Sequence, residues 1–331
     1  MPKGSSPVGN LPNDPYLQKE FYEPEIYRRV SRALAPLIEF LPKVEADAEA
    51  IVAIREMYSA ATDPQRRYPA LHVAGTEFPR VTISGLEEIA TVIAEEGLEF
   101  AISPRARRWA TGITMIDRTF QRVSWWLADY LTMKMFTNLK GYVTETTGGM
   151  SFYDRSKVAW GAEGANPVKD LRLIQDDMED FDMDFTVTDF YVARDGYRAL
   201  LAHLVDLDID VETRRNLFGM PEARSEEIFI PMVGATVHKV KYGLDEGAVL
   251  ALDMNNRPAT LYYGRNPEFA PTERWETEEG EVMENNLGLH SHAYFEDRTH
   301  DEIRQLWFEH AVLVTEPMAG IYVPPGAKGI F

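Results

Sequence analysis

Residues 114–139 carry one long helical signal. Ile116, Phe120, Val123, Leu127, Tyr130, Leu131 and Met135 recur on a single apolar stripe, with Trp125 and Trp126 adding aromatic bulk beside it. Gly141 follows where a helix stop is expected. At ~1.5 Å per residue such a helix is nearly 40 Å long. A helix of that length serves as a scaffold across which other elements pack, so the rest of the chain must supply the layers.

Those layers are mixed. Residues 24–40 read as a helix, with Pro24 at its first turn and Ile26, Val30, Ala33, Leu34, Leu37 and Ile38 at helical spacing. A second helix is predicted over 46–60, ending before Asp63-Pro64. Residues 64–84 read as two extended strands joined by a turn at Gly75, then come a short helix over 86–95 and an extended run over 98–102. After the long helix, 142–165 reads as strand and loop, 167–178 as helix, 186–192 as strand and 195–204 as helix. Strands dominate 228–263, with turns at Gly243 and Asn255-Asn256, and 266–288 is polar and acidic. The end, 292–323, is strand-rich and closes on Pro324-Pro325-Gly326. This order is α+β rather than a regular βαβ alternation.

Composition removes several kinds of chemistry. Among 331 residues there is no cysteine, which excludes disulfides, thiolate metal sites and cysteine nucleophiles. No apolar run approaches membrane-spanning length. The N-terminus lacks the apolar stretch of a signal peptide and reads as a flexible arm. Asp plus Glu number 53 against 34 Lys plus Arg, a net charge of −19, and only 10 of those 34 are Lys. Arginine over lysine with excess acid is a pattern of proteins from concentrated brine, where screening shortens to ~3 Å at molar salt. The same balance argues against nonspecific DNA binding, which needs Lys and Arg on phosphate.

Few residues gather as a site would require. His290 and His292, followed by His300 and Asp301, offer imidazole and carboxylate ligands, and residues two apart on a strand point to one side. No third ligand is fixed by spacing, so a polar strand end with scattered histidines is the preferred reading, in which Asn replaces His290 and His292 without harm. Asp176, Asp177, Glu179, Asp180, Asp182 and Asp184 form one acidic run. Glu273, Glu276, Glu278, Glu279, Glu281 and Glu284 form another. Neither has the order of a calcium loop, and both read as solvated faces. Gly148-Gly149 and Gly161-Ala162-Glu163-Gly164 lack the flanks of a phosphate-binding loop. No cofactor is implied, and no catalytic residue is assigned. Arginines cluster at Arg28, Arg29 and Arg32, at Arg66 and Arg67, and at Arg105, Arg107 and Arg108. Their planar forks suit carboxylate partners on a neighbouring chain better than a genome.

Four local patterns recur in one known order. Residues 189–200 pass from a strand into a short helix bearing Tyr197 and Leu200. Residues 230–237 run Ile-Pro-Met-Val-Gly-Ala-Thr-Val, and 244–253 run Leu-Asp-Glu-Gly-Ala-Val-Leu-Ala-Leu-Asp. Residues 311–319 form a closing strand before Pro317 and Ala319. Together with the long helix they resemble the major capsid proteins of tailed viruses, the Hong Kong 97-like fold. Two departures are visible: no proline stands at the first helix start, and Asp245 replaces the family's turn proline.

The resemblance implies an N-terminal arm over 1–62, an extended two-stranded loop over 63–108 and a peripheral domain with its spine helix over 109–144. It further implies an axial domain over 145–287 and a return to the peripheral domain over 288–331. It implies a shell subunit, not an enzyme, assembling as pentamers and hexamers around double-stranded DNA that it does not specifically recognise. Portal, scaffold and decoration or turret proteins would be its partners. Its place would be the virion capsid, assembled in the host cytoplasm, with no membrane, and the acidic composition points to a virus of halophilic archaea. Intersubunit contacts are expected from Leu71, Val73, Phe78, Val81 and Ile83, since a lone hairpin is marginal in water, and from Arg66, Arg67, Arg105, Arg107 and Arg108. Residues 64–108 hold no lysine, so a lysine–asparagine weld of the kind some relatives make lacks its nucleophile there. Encapsulins, cellular cargo shells, share the fold and are the nearest alternative. A metal-dependent enzyme using His290 and His292 is the alternative from another class.

Overall fold

The computed structural model describes residues 27–28, 41–46, 50–56, 86–103, 112–147, 160–179, 185–206, 227–264, 274–276, 282–284, 287–296, 298–299, 301–316 and 319–325. They divide between two compact units. One comprises Met1–Ile51, Thr91–Asn138 and Thr260–Leu313, the other Val52–Ala90, Leu139–Ala259 and Val314–Phe331.

The elements in chain order are β1 (Lys43–Glu45), β2 (Ala50–Glu56), β3 (Leu86–Val92), β4 (Ala94–Ile102), α1 (Gly112–Thr147), α2 (Pro167–Glu179), β5 (Asp189–Ala193) and α3 (Arg194–Asp206). Then follow β6 (Glu227–Ile230), β7 (Ala235–Val240), β8 (Val249–Leu252), β9 (Ala259–Tyr263), β10 (Arg274–Glu276), β11 (Val282–Glu284), β12 (Leu289–Glu296), β13 (Asp301–Val314) and β14 (Gly320–Val323).

In the first unit, β13 is the axis of a five-stranded sheet ordered β1-β9-β13-β12, with β4 also pairing β13. β4 and β12 both run antiparallel to it, Leu98 opposite Leu306 and His290 opposite Trp307. A strand covered along both edges and both faces reads as a near-continuous apolar run. Accordingly Ile303, Leu306, Trp307, Phe308 and 311–314 are all buried. β4 alternates between half-buried and exposed positions, which suits a strand with one solvated face.

The second unit centres on a mixed sheet ordered β14-β8-β5-β7-β6. β5 runs parallel to β7 and antiparallel to β8. α3 starts at the residue after β5, and Tyr197, Leu200 and Leu204 recur at helical spacing on its buried face. They join Leu171, Ile174 and Met178 of α2 and Phe190, Val192, Val237 and Val249 of the sheet in one core. Fully burying an apolar side chain of this size contributes about 1.5–3 kcal/mol. The turn expected at Asn255-Asn256 is a 3-10 turn over Met254–Asn256. Asp253 organises it: its carboxylate accepts from the Asn255 and Thr186 amides, both at 3.0 Å, and from Asn256 Nδ2 at 2.7 Å.

Asp170 lies buried in this core, beside the start of α2. Asn166 caps the helix, its Oδ1 accepting from the Lys169 amide at 3.0 Å. Trp160 Nε1 donates to Asp170 Oδ2 at 2.9 Å. Burial pushes the Asp170 carboxyl up to about 6, against the lowering effects of the Trp160 hydrogen bond and the Lys169 charge. Its folded value lies above the unfolded one, so the folded chain retains a proton that the unfolded chain releases between about 3.8 and about 6. Stability from this site therefore falls as pH rises through that window and is level above it. Asp170→Asn keeps an acceptor for the indole and removes the buried charge. Its stability relative to the parent is expected to rise by about 1–3 kcal/mol between pH 4 and pH 7. Urea midpoints of both proteins measured across that range test this; a constant difference contradicts it.

Four expectations from the sequence are corrected. Residues 50–56, within the predicted helix 46–60, form β2, which pairs with β3. The predicted helix 86–95 is instead β3 and the start of β4. In both, β-branched residues (Ile51, Val52 and Ile54; Ile89, Thr91, Val92 and Ile93) favour the pleated surface, and a partner strand decides the matter. α1 passes through Gly141 and continues to Thr147, so 142–147 is helix rather than strand and loop. On α1 Tyr130, counted in the apolar stripe, is exposed, and Leu139 and Val143 extend the buried stripe in its place.

Candidate functional site

Leu71, Val73, Phe78, Val81, Ile83, Arg66, Arg67, Arg105, Arg107 and Arg108, the contacts expected from sequence, lie outside the described residues. So do 180–184 of the first acidic run. Of the described residues of that run, Asp176 and Glu179 are exposed and Asp177 is half-buried, and Asp176 pairs with Arg172 at 3.1 Å, one helical turn away.

The histidine pair is not a polar strand end. His290 on β12 is fully buried, its ring stacked on Trp307 with centroids 5.3 Å apart and planes 10° apart. Its Nε2 stands 3.6 Å from Glu309 Oε1. His292, two residues on, is half-buried and stacks on Tyr294. Among the described residues no three His, Asp or Glu side chains converge as a metal site needs. His290→Asn is therefore expected to cost stability, contrary to the harmless replacement the sequence suggests. His290→Ala is expected to cost about 2–4 kcal/mol through the lost packing and His292→Ala less than about 1 kcal/mol, read as shifts in denaturation midpoint. Equal shifts would remove the distinction.

The other buried charges of the first unit are paired in place. Glu302 and Arg304 form a buried ion pair on β13. His310 is pushed down to about 4 by burial and by the nearby Lys134 charge, partly offset by Glu96, so it is neutral at pH 7. Lys134 of α1 is in turn paired with Glu96 of β4. In the second unit His238 lies buried between strands, its Nε2 2.8 Å from Asp189 Oδ1 and its Nδ1 3.5 Å from Glu227 Oε2, with its ring stacked on Tyr191. Glu302, Arg304, His310 and His238 sit within sheets, and Lys134 on α1.

The turn that carries Asp245 is tied to two neighbouring elements. Gly243 and Gly247 adopt φ of +95° and +76°, which only glycine takes without strain. Between them Asp245 meets the Lys140 ammonium of α1 and accepts from Tyr322 Oη of β14 at 2.7 Å. These two hydrogen bonds hold the Asp245 carboxyl below its ordinary range, and burial and the carboxylate push the Tyr322 phenol up.

Sequence reasoning missed one surface. Trp125 and Trp126 are 58% and 62% exposed, and Tyr130 and Met133 are exposed beside them on α1. Arg118 and Arg122, both exposed, lie on the same side one and two turns earlier. The signal was available: adjacent residues stand about 100° apart on a helix. The stripe of Val123, Leu127 and Leu131 therefore leaves Trp126 and its i+4 neighbour Tyr130 on its flank, turned toward solvent.

No family model matches the chain, and no curated protein matches it in sequence. Solved structures do. A structure from Mycobacterium phage Cain is 8% identical and superposes with a TM-score of 0.53 over 88% of this chain and 90% of that one. The capsid structure of the cyanophage P-SCSP1u is 9% identical, with a TM-score of 0.47 over 87% and 86%. The holo-SrpI encapsulin complex from Synechococcus elongatus PCC 7942 is 11% identical, with a TM-score of 0.48 over 88% of each. The first of these establishes a shared α+β fold across nearly the whole chain.

Proposed function

We propose that this chain is a major capsid protein, a subunit that assembles with copies of itself into the icosahedral shell around a viral DNA genome. The fold shared with the Cain phage structure over nearly the full length of both chains carries this reading. The order of the capsid-like patterns at 189–200, 230–237, 244–253 and 311–319 supports it independently. On this reading the arm is 1–62, the extended loop 63–108, the spine-helix domain 109–144, the axial domain 145–287 and the return 288–331. Leu71, Val73, Phe78, Val81, Ile83 and the arginines at 66, 67, 105, 107 and 108 reach neighbouring subunits. Pentamers and hexamers close the shell through cyclic, head-to-tail contacts. Portal, scaffold and decoration or turret proteins are its partners, assembly is in the host cytoplasm, and the acid-rich, lysine-poor surface belongs to a virus of a brine-dwelling archaeon.

The test is electron microscopy of the purified protein in molar salt. Closed shells of uniform diameter are expected. A species that stays monomeric at every concentration refutes the reading. Particles from infected cells that protect DNA from nuclease distinguish a capsid from an encapsulin-type cargo shell, which would protect an enzyme instead.

A further inference from the structure

Arg118, Arg122, Trp125, Trp126, Tyr130 and Met133 are exposed along about four turns of α1, all within the first unit. Half-buried Asp129 stands among them. Single exposed apolar residues are ordinary on a protein surface, but two tryptophans, a tyrosine and a methionine side by side mark an interaction site. Arg118, Arg122, Trp125, Asp129 and Met133 recur every three or four residues, the spacing that keeps side chains on one seam along a helix.

The seam is complementary to itself. Two antiparallel copies of α1 that cross between Trp125 and Trp126 set each residue against the one equally far beyond the crossing point. Arg122 then meets Asp129, Trp125 meets Trp126 and Arg118 meets Met133, and each meeting occurs twice because the arrangement is twofold. A parallel pair would set arginine on arginine and aspartate on aspartate. Asp129 already has an interaction within its own chain, but an ionised carboxylate has about four acceptor sites, enough for a second donor. The planar fork of Arg122 suits that carboxylate, and offset ring contacts favour the tryptophans. The Arg118 stem lies along an apolar neighbour such as Met133 while its charged head stays in water. Nucleic acid is a poorer match, because a carboxylate stands in the middle of the seam and the whole chain carries −19.

We propose that α1 packs antiparallel against α1 of a second copy, in a twofold contact through Arg122, Trp125, Trp126 and Asp129. The proposal rests on the shell-forming function and deepens it: cyclic contacts close a ring of copies, and the twofold contact joins one ring to the next.

The chain has no cysteine, so two introduced thiols report on this contact alone. Arg118→Cys with Met133→Cys leaves the four central residues in place. The two positions lie about 22 Å apart on one helix, too far to be bridged within a copy. Treatment of assembled particles with a short thiol-to-thiol linker is expected to give linked pairs, because a twofold contact joins each copy to one other. A ladder of larger multimers means a head-to-tail contact and overturns the proposal. Links that form only after nuclease has removed enclosed nucleic acid give the face to that polymer and overturn it as well. Light scattering at the lowest salt that sustains particles of the unaltered protein supplies the second readout. Arg122→Asp should raise the concentration needed for assembly at least tenfold, and adding Asp129→Arg should return it to within about threefold of the unaltered protein. If that double variant keeps the far-ultraviolet spectrum of the unaltered protein but not its assembly, the ion pair is wrong and the proposal falls. If the unaltered protein assembles and no links form, the contact is wrong while the shell function stands. If no particles form and pairs still link in solution, the contact stands while the shell function fails. If neither forms, both fail.

Discussion

Gly97→Ala is expected to unfold the first unit. Gly97 lies on β4 opposite Trp307 of β13. A Cβ there would overlap the Leu306 carbonyl oxygen and the Trp307 Cβ, and would stand 2.7 Å from Trp307 Cα. Two of those three atoms are backbone, in the strand that pairs β9, β12 and β4, so none can turn aside as a side chain would. Overpacking a core ordinarily costs about 1–3 kcal/mol. Here the strands themselves must separate, and a loss above 3 kcal/mol is expected, enough to remove most of the stability of an ordinary domain. Gly141→Ala is the matched control. Nothing lies within 4 Å of a Cβ at that position, and it is an exposed site inside α1. Alanine there should stabilise by about 0.5–1 kcal/mol, because glycine is the costlier residue inside a helix. Urea denaturation of both variants checks the pair. Gly97→Ala with a native midpoint would mean that β4 and β13 do not pair in this register.

The two glycines also mark what the sequence can and cannot disclose. Gly141 was read as a stop because glycine commonly ends helices. The helix passes it because Leu139 and Val143 on either side are fully buried, and that packing outweighs a penalty of about 1 kcal/mol. The errors at 46–60 and 86–95 have the same origin. Ile51, Val52 and Ile54 and then Ile89, Val92 and Ile93 give an apolar density compatible with either period, and the partner strand that decides between them is distant in the chain. Helices whose apolar face meets a nearby strand were legible: Tyr197, Leu200 and Leu204 follow β5 directly and declare their own burial. The site was less legible than the fold. Trp125 and Trp126 lie within the strongest helical signal, beside its apolar stripe, and the helix turns them to solvent. His290 erred the other way, since nothing local reveals that it stands opposite Trp307.

On the proposed shell-forming function, dilution is expected to take assembled shells apart. Each copy carries −19, and Asp176 and Glu179 of the first acidic run are exposed. At ~0.15 M salt, charges interact over about 8 Å, a distance comparable to the gap across a subunit interface. Acidic faces of adjacent copies then repel directly, and the repulsion accumulates over every contact in the shell. At 1 M the range falls to ~3 Å. Contact pairs and apolar burial remain, and apolar burial is itself strengthened by salts excluded from the surface. Arginine–carboxylate contact pairs weaken with salt, but carboxylates outnumber cations by 53 to 34, so the bulk effect prevails. Particles dialysed stepwise from molar salt into dilute buffer should therefore lose most of their light scattering before 0.15 M. Magnesium should protect them at lower total salt if carboxylates of 176–184 or 273–284 face one another between copies. Shells that stay closed through the whole series, with or without magnesium, would place those carboxylates away from every interface and leave the acidic surface without a part in assembly.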